Sequence, residues 1–180
     1  TYSVQNGNAT LLGCQTSNDV ITIPDCFDHY PVTSIGYRAF AENNTIKSIL
    51  LPTTVTEISD YAFYNCTSLK NVTLGTNLAK IGKYAFYNTA LTKVTLPASL
   101  RTIDNYAFAN CLALNKLVMR SGVETLGDGI LYNATSLAMV TLSDTLERIS
   151  DFSFYNCQSL AEINIPESVS KIGNCAFENC

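Results

Sequence analysis

The side chains best equipped for chemistry are seven cysteines and a single histidine, His29. A thiol attacks or ligates as the thiolate, which forms near a base, a cation or a metal, so position decides its role. Cys175 and Cys180 enclose four residues, poor spacing for a zinc pair. His29 has only Asp25, Asp28 and Cys26 as sequence neighbours of ligating type, too weak a set for a metal site. A Cys–His nucleophile would require His29 to reach a thiol elsewhere in the chain. We expect it in a surface loop. No glycine-rich phosphate loop occurs, and the Asp and Glu residues form no pair that spacing singles out. The expectation is a protein that is not an enzyme and holds no cofactor and no metal.

The cysteines instead mark a pattern. Cys66, Cys111, Cys157 and Cys180 each stand three residues after a phenylalanine, at Phe63, Phe108, Phe154 and Phe177. Thr89 and Ala134 take that place elsewhere, which a bridge or a metal would not allow. We read the column as buried thiols acting as small hydrophobes. Cys14 and Cys26 are candidates for a bridge inside the N-terminal segment.

The elements that must position these residues repeat. Phe40, Phe63, Phe86, Phe108, Leu131, Phe154 and Phe177 are separated by 23, 23, 22, 23, 23 and 23 residues. A fixed period of this size signals a solenoid, in which each coil touches mainly its neighbours. Apolar columns run Ile46, Leu69, Leu91, Leu114, Leu137, Leu160, then Ile49, Val72, Val94, Leu117, Val140, Ile163, then Leu51, Leu74, Leu96, Met119, Leu142, Ile165. The second and third alternate with polar residues, which is strand spacing. Pro52, Pro97 and Pro166 end that strand; Gly75, Arg120 and Ser143 hold the slot in other coils. The return half carries Val55, Leu78, Leu100, Val123, Leu146, Val169 and then Ile58, Ile81, Ile103, Leu126, Ile149, Ile172. Its segments are too short for full helices, so we expect irregular or 3₁₀ stretches there.

Residues 1–35 break the period and read as an N-terminal cap. Asn6-Gly7 between Tyr2-Ser3-Val4 and Ala9-Thr10-Leu11-Leu12 signals a β-hairpin, and Val20-Ile21-Thr22-Ile23-Pro24 matches the strand slot of later coils. Residues 36–180 are the repeats, which stop in mid-coil at Cys180. That stop, and a start at Thr1 without Met, are expected of a piece of a longer array, or of an end covered by a partner or a second chain.

Composition fits a packed stack: 47% of residues are hydrophobic and 14% charged. A net charge of −4 gives the chain as a whole no cationic field for nucleic acid. No apolar run approaches the length of a membrane span.

Recognition surfaces remain. Outward strand positions pair as Ser48/Leu50, Asn71/Thr73, Lys93/Thr95, Lys116/Val118, Met139/Thr141 and Glu162/Asn164. We take the last five pairs as the candidate partner-binding face, set against an ordinary solvated sheet with Thr chosen for strand propensity. Tyr64, Tyr87, Tyr132 and Tyr155 form a second candidate row, for which stacking along the coils is a sufficient structural reason. Asn65, Asn88, Asn110, Asn133, Asn156 and Asn179 form a column expected to be buried and to satisfy turn backbone groups. Asn-x-Thr sequons at Asn8, Asn43, Asn65, Asn71 and Asn133 could carry glycans in a secreted eukaryotic chain.

The run Tyr61-Ala62-Phe63-Tyr64-Asn65-Cys66, with Leu69-x-x-Val72-x-Leu74 and Val55-x-x-Ile58, resembles BspA-type leucine-rich repeats. Val20-Ile21-Thr22-Ile23-Pro24 and Tyr30-Pro31-Val32-Thr33-Ser34-Ile35-Gly36 resemble that family's lead-in. The resemblance implies a leucine-rich-repeat solenoid, β-rich, with one short parallel strand per repeat and no catalytic residues. It also implies an extracellular or cell-surface module that binds a protein or glycan on a host cell, another cell or the extracellular matrix. The alternative is a structural spacer or a self-associating array, joined through the uncapped last coil.

Overall fold

A computed structural model describes residues 1–14 and 17–180; the cap reading spans Gln15 and Thr16, which lie outside the described residues. The strands in chain order are β1 (Tyr2–Gln5), β2 (Asn8–Leu11), β3 (Val20–Thr22), β4 (Cys26–Phe27), β5 (Tyr30–Ile35), β6 (Ser48–Leu50), β7 (Glu57–Ile58) and β8 (Asn71–Thr73). They continue as β9 (Lys80–Ile81), β10 (Lys93–Thr95), β11 (Thr102–Ile103), β12 (Lys116–Val118), β13 (Thr125–Leu126), β14 (Met139–Thr141), β15 (Arg148–Ile149) and β16 (Lys171–Ile172).

The fold is a β-solenoid, and each coil meets the next through up to three ladders. The first ladder is the expected one. β3, β6 and β8 pair in parallel, as do β10, β12 and β14. The second ladder joins the return segments: β5, β7, β9, β11 and β13 are parallel neighbours, and β15 pairs β16. The return segment is thus a two-residue strand, where a 3₁₀ or irregular stretch was expected. Its inner residues Ile58, Ile81, Ile103 and Ile149 are completely buried.

The third ladder carries no regular strand. The anchor N–H donates to the carbonyl just before the next coil's anchor: Phe63 to Ala85 and Phe86 to Ala107 at 2.8 Å, and Phe108 to Ile130 at 2.9 Å. Two positions per coil adopt left-handed backbone. One is the asparagine column, with φ from 54° to 60° from Asn65 to Asn179, a conformation Asn tolerates better than most residues. The other is Tyr61, Tyr84, Tyr106, Gly129, Phe152 and Cys175, all at positive φ. In several coils the left-handed residue falls third in a turn closed by an i+3 hydrogen bond, as in Ala62 N–H to Ser59 and Cys66 N–H to Phe63. A positive φ at the third residue is what a type II turn requires.

The core follows from this cross-section. Phe63, Phe86, Phe108 and Phe154 are fully buried. Phe40 stacks on Phe63 at 5.2 Å between ring centres, Phe63 on Phe86 at 5.0 Å, and Phe86 on Phe108 at 5.2 Å. The ring spacing is the coil spacing, close to the ~4.8 Å of adjacent strands. Each such side chain contributes roughly 1.5–3 kcal/mol by burial, realised only when a neighbouring coil covers it.

Small residues admit the close approach between return segments. A side chain at Gly127 would meet the Asn105 backbone N at 2.3 Å. Asn105 Oδ1 meanwhile accepts the Asp128 N–H at 3.0 Å. Gly82 with Asp60 and Gly173 with Asp151 repeat the device. The Asn174 N–H, bonded to Asp151, holds that carboxyl below its ordinary range.

At the N-terminal end β1 and β2 form an antiparallel hairpin around Asn6 and Gly7, at φ 50° and 75°. That pair of positive values is the type I′ requirement. β2 then lies parallel to β5. Asp28 and His29 make a second such turn, at φ 46° and 73°, between β4 and β5, with Tyr2 stacked on Phe27 at 4.9 Å.

Candidate binding surface

His29 is an exposed turn residue. Cys14 and Cys26 are exposed free thiols, so the bridge considered for them is absent. Of the column expected to be buried, Cys66, Cys111 and Cys157 are buried and do more than fill space, whereas Cys180, in the last coil, is exposed. Each buried thiol donates to the carbonyl of the preceding cysteine-free or cysteine-bearing coil's anchor: Cys66 to Phe40 at 2.9 Å, Cys111 to Phe86 at 3.1 Å, Cys157 to Leu131 at 3.3 Å. Burial pushes these thiols up to about 12, 11 and 12, so they stay protonated donors and poor nucleophiles. Among the described residues no group of three or more His, Cys, Asp or Glu side chains is placed to hold a metal ion.

The asparagine column is half-buried rather than buried, and exposed at Asn179, and its carboxamides bond mainly to one another. Asn88 donates to Asn65 at 2.9 Å, Asn133 to Asn110 at 2.9 Å and Asn156 to Asn133 at 2.6 Å. Asn110 donates instead to the Tyr87 hydroxyl at 2.5 Å.

The tyrosines occupy the same side. Tyr64 stacks on Tyr87 at 5.1 Å and Tyr132 on Tyr155 at 4.8 Å. A second row, Tyr61, Tyr84 and Tyr106, stacks at 5.1 and 5.2 Å. Sequence reasoning missed this row. The signal available was Gly129, the one glycine in that column. Tyr106 leans over Gly129, where a side chain would meet its ring at 2.3 Å.

The strand positions taken as partner-binding all stand on the outer side of the first ladder. Asn71, Thr73, Lys93, Thr95, Met139, Thr141, Glu162 and Asn164 are exposed, and Lys116 and Val118 are half-exposed. Lys93 pairs in register with Lys116, Thr95 with Val118, Lys116 with Met139 and Val118 with Thr141. Glu162 and Asn164 lie beyond the last strand of this ladder.

The ladder does not run through. β8 and β10 are not paired. Elsewhere Leu51 N–H donates to Thr73 and Leu96 N–H to Val118, but Leu74 makes no such bond to Thr95. The break falls at the coil that is one residue short. Other coils enter the strand through Cys66-Thr67-Ser68-Leu69 or Cys111-Leu112-Ala113-Leu114, closed by a 3.0 Å bond from the Leu N–H to the Cys carbonyl. Here the corner is Thr89-Ala90-Leu91, and that closing bond is missing.

The break opens a groove of about 580 Å³. Asn71, Thr73, Lys93 and Thr95 line it, so four of the expected residues meet in one place. Its floor holds Val72 and Leu74, only half-buried where Val94 and Leu96 are buried. Thr76 and Arg120 complete it and were missed; Arg120 in a slot that prefers Pro was the sequence signal. A smaller hollow of about 460 Å³ brings Met139 beside Glu162 and Asn164.

Charge distinguishes this side. On the return ladder Lys80 pairs with Glu57 at 3.2 Å, Arg101 with Glu124 at 3.8 Å and Arg148 with Asp151 at 3.2 Å, while Lys171 on β16 makes no ion pair. Among the described residues six Lys and Arg make no ion pair, and four of them, Lys70, Lys93, Lys116 and Arg120, stand at or beside β8, β10 and β12.

The profile described as BspA type Leucine rich repeat region matches residues 33–141 and 130–180, in six copies. The chain belongs to the BspA-type leucine-rich repeat family. The crystal structure of a T. pallidum leucine-rich repeat protein is similar over all of this chain and 86% of that one, at 27% identity and TM-score 0.96. A leucine-rich repeat protein from Eubacterium ventriosum is similar over 99% of this chain and 49% of its own, at 26% identity and TM-score 0.77. One from Bacteroides capillosus is 34% identical over 66% of this chain and 91% of its own, at TM-score 0.59. No curated protein matches. BspA-type repeats are a protein-interaction fold and are generally non-catalytic. Among the described residues no helix is long and apolar enough to cross a membrane.

Proposed function

We propose that this chain is a non-enzymatic extracellular recognition module that binds a protein or glycan of a host cell, another cell or the matrix through its outer strand face. The observation that carries the reading is the groove between β8 and β10, which gathers Asn71, Thr73, Lys93 and Thr95 on a face rich in unpaired cations. An ordinary solvated sheet gives no reason to set Lys93 and Lys116 side by side without an acidic partner. BspA-type membership supports an interaction role, and the repeat scaffold holds the face rigid without any ligand.

The test is binding of the chain to a panel of matrix proteins and glycans beside a Lys93→Glu/Lys116→Glu variant. Retention of the fold is checked by circular dichroism. Saturable binding that the folded variant loses supports the reading. Binding that the variant keeps moves the site to the tyrosine rows or the cap. No binding by either favours the spacer role.

A further inference from the structure

Resting on the strand-face reading, we infer that the groove between β8 and β10 is a subsite for an acidic oligosaccharide, one bearing carboxylate or sulfate groups. Three properties of the groove select that chemistry. First, Lys93 and Arg120 line it, and none of the described lining side chains is a carboxylate. Neither cation has an ion pair, so both charges are free for an anion. Arg offers a planar, two-pronged donor suited to carboxylate or sulfate. Asp144 lies in the next hollow with Arg120, outside ion-pair distance.

Second, the remaining polar groups are hydroxyls and a carboxamide: Thr73, Thr76, Thr95 and Asn71. They both donate and accept, as sugar hydroxyls do. The interrupted ladder adds backbone groups of β8 and β10 that no neighbouring strand occupies. Third, the floor of Val72, Leu74 and Pro97 is apolar and partly exposed, a surface for the C–H face of a pyranose ring. The groove is also wide for an ion alone, at about 580 Å³. An acidic peptide would use the cations but has less call on a row of hydroxyls.

The test is calorimetric titration with a sulfated, uronate-containing hexasaccharide, its desulfated and carboxyl-reduced counterpart, and a hexaglutamate peptide. The acidic sugar binds at least roughly tenfold more tightly than either of the others, the order expected for one charge-assisted contact. Its affinity falls with added salt. Arg120→Gln weakens it by roughly tenfold, and Thr76→Glu, which puts a carboxylate on the groove wall, abolishes it. Lys83→Gln, a cation outside the groove, changes nothing. All three positions are exposed, and circular dichroism confirms the fold. No binding, equal binding of the neutral sugar, tighter binding of the peptide, or indifference to both groove variants overturns the inference. If matrix binding is lost in Lys116→Glu/Met139→Asp but kept in Thr76→Glu, the groove inference alone fails. If no strand-face variant affects any binding, both readings fail.

Discussion

Lys93 stands directly beside Lys116 in the parallel ladder of β10 and β12. Neither ammonium has an acidic partner within ion-pair distance. Neighbouring like charges on a sheet destabilise it, so the pair is held at a small loss of stability. Lys93→Thr should therefore raise stability by about 0.5 kcal/mol while weakening binding of an anionic ligand. Urea denaturation and titration read the two effects separately. A variant that loses stability would contradict the repulsion argument.

The thiol column sets a pH dependence. In the folded chain burial raises Cys66, Cys111 and Cys157 to about 12, 11 and 12 from an ordinary 9.0. Below pH 9 both folded and unfolded chains keep the protons, and the contribution is complete. Above it the unfolded chain releases protons that the folded chain retains, so stability falls as pH rises towards 12. The slope is about 1.4 kcal/mol per thiol per pH unit. A Cys66→Ala/Cys111→Ala/Cys157→Ala variant should lose that component, measured by denaturation between pH 8 and 11. At pH 8 a thiol-specific reagent should label the exposed Cys14, Cys26, Cys175 and Cys180 while sparing Cys66, Cys111 and Cys157.

The anchor stack tolerates shape better than loss. Phe86 is fully buried between Phe63 and Phe108. Phe86→Ala should remove about 3–5 kcal/mol. Phe108→Leu should remove less than about 1.5 kcal/mol, because Leu131 already fills the equivalent slot in the next coil, fully buried. Chemical denaturation of the two variants gives the comparison, and equal losses would show that ring stacking is required at every coil.

The short corner at Thr89-Ala90-Leu91 lacks the turn that delivers other coils into the strand ladder. Inserting one Ser between Thr89 and Ala90 restores the 23-residue step. The insertion should join β8 to β10, protect the Leu74 amide from hydrogen exchange and remove ligand binding. An unprotected Leu74 amide would mean that the groove has another cause.

Much of this architecture was legible in the columns. Phe63, Phe86 and Phe108 at a fixed step, with Val94 and Leu96 alternating against Lys93 and Thr95, define the coils and the outer face without further information. The return ladder was not legible, because strands such as Lys80–Ile81 are too short to display alternation. The left-handed tyrosines Tyr61 and Tyr84 were hidden for a different reason. Their backbone is imposed by the stack, and no intrinsic preference of Tyr announces it. The candidate face was readable residue by residue, but its groove was not. The missing residue in the corner leaves the apolar pattern of β10 intact and acts only through what Val72 and Leu74 then fail to meet.

The most direct measurement is hydrogen–deuterium exchange of the intact chain, with and without the tightest ligand of the matrix and glycan panel. The account predicts new protection over residues 71–76 and 93–98, the two walls of the groove, with the rest of the solenoid unchanged. Protection confined to the tyrosine side, at residues 61–64 and 84–87, would contradict it.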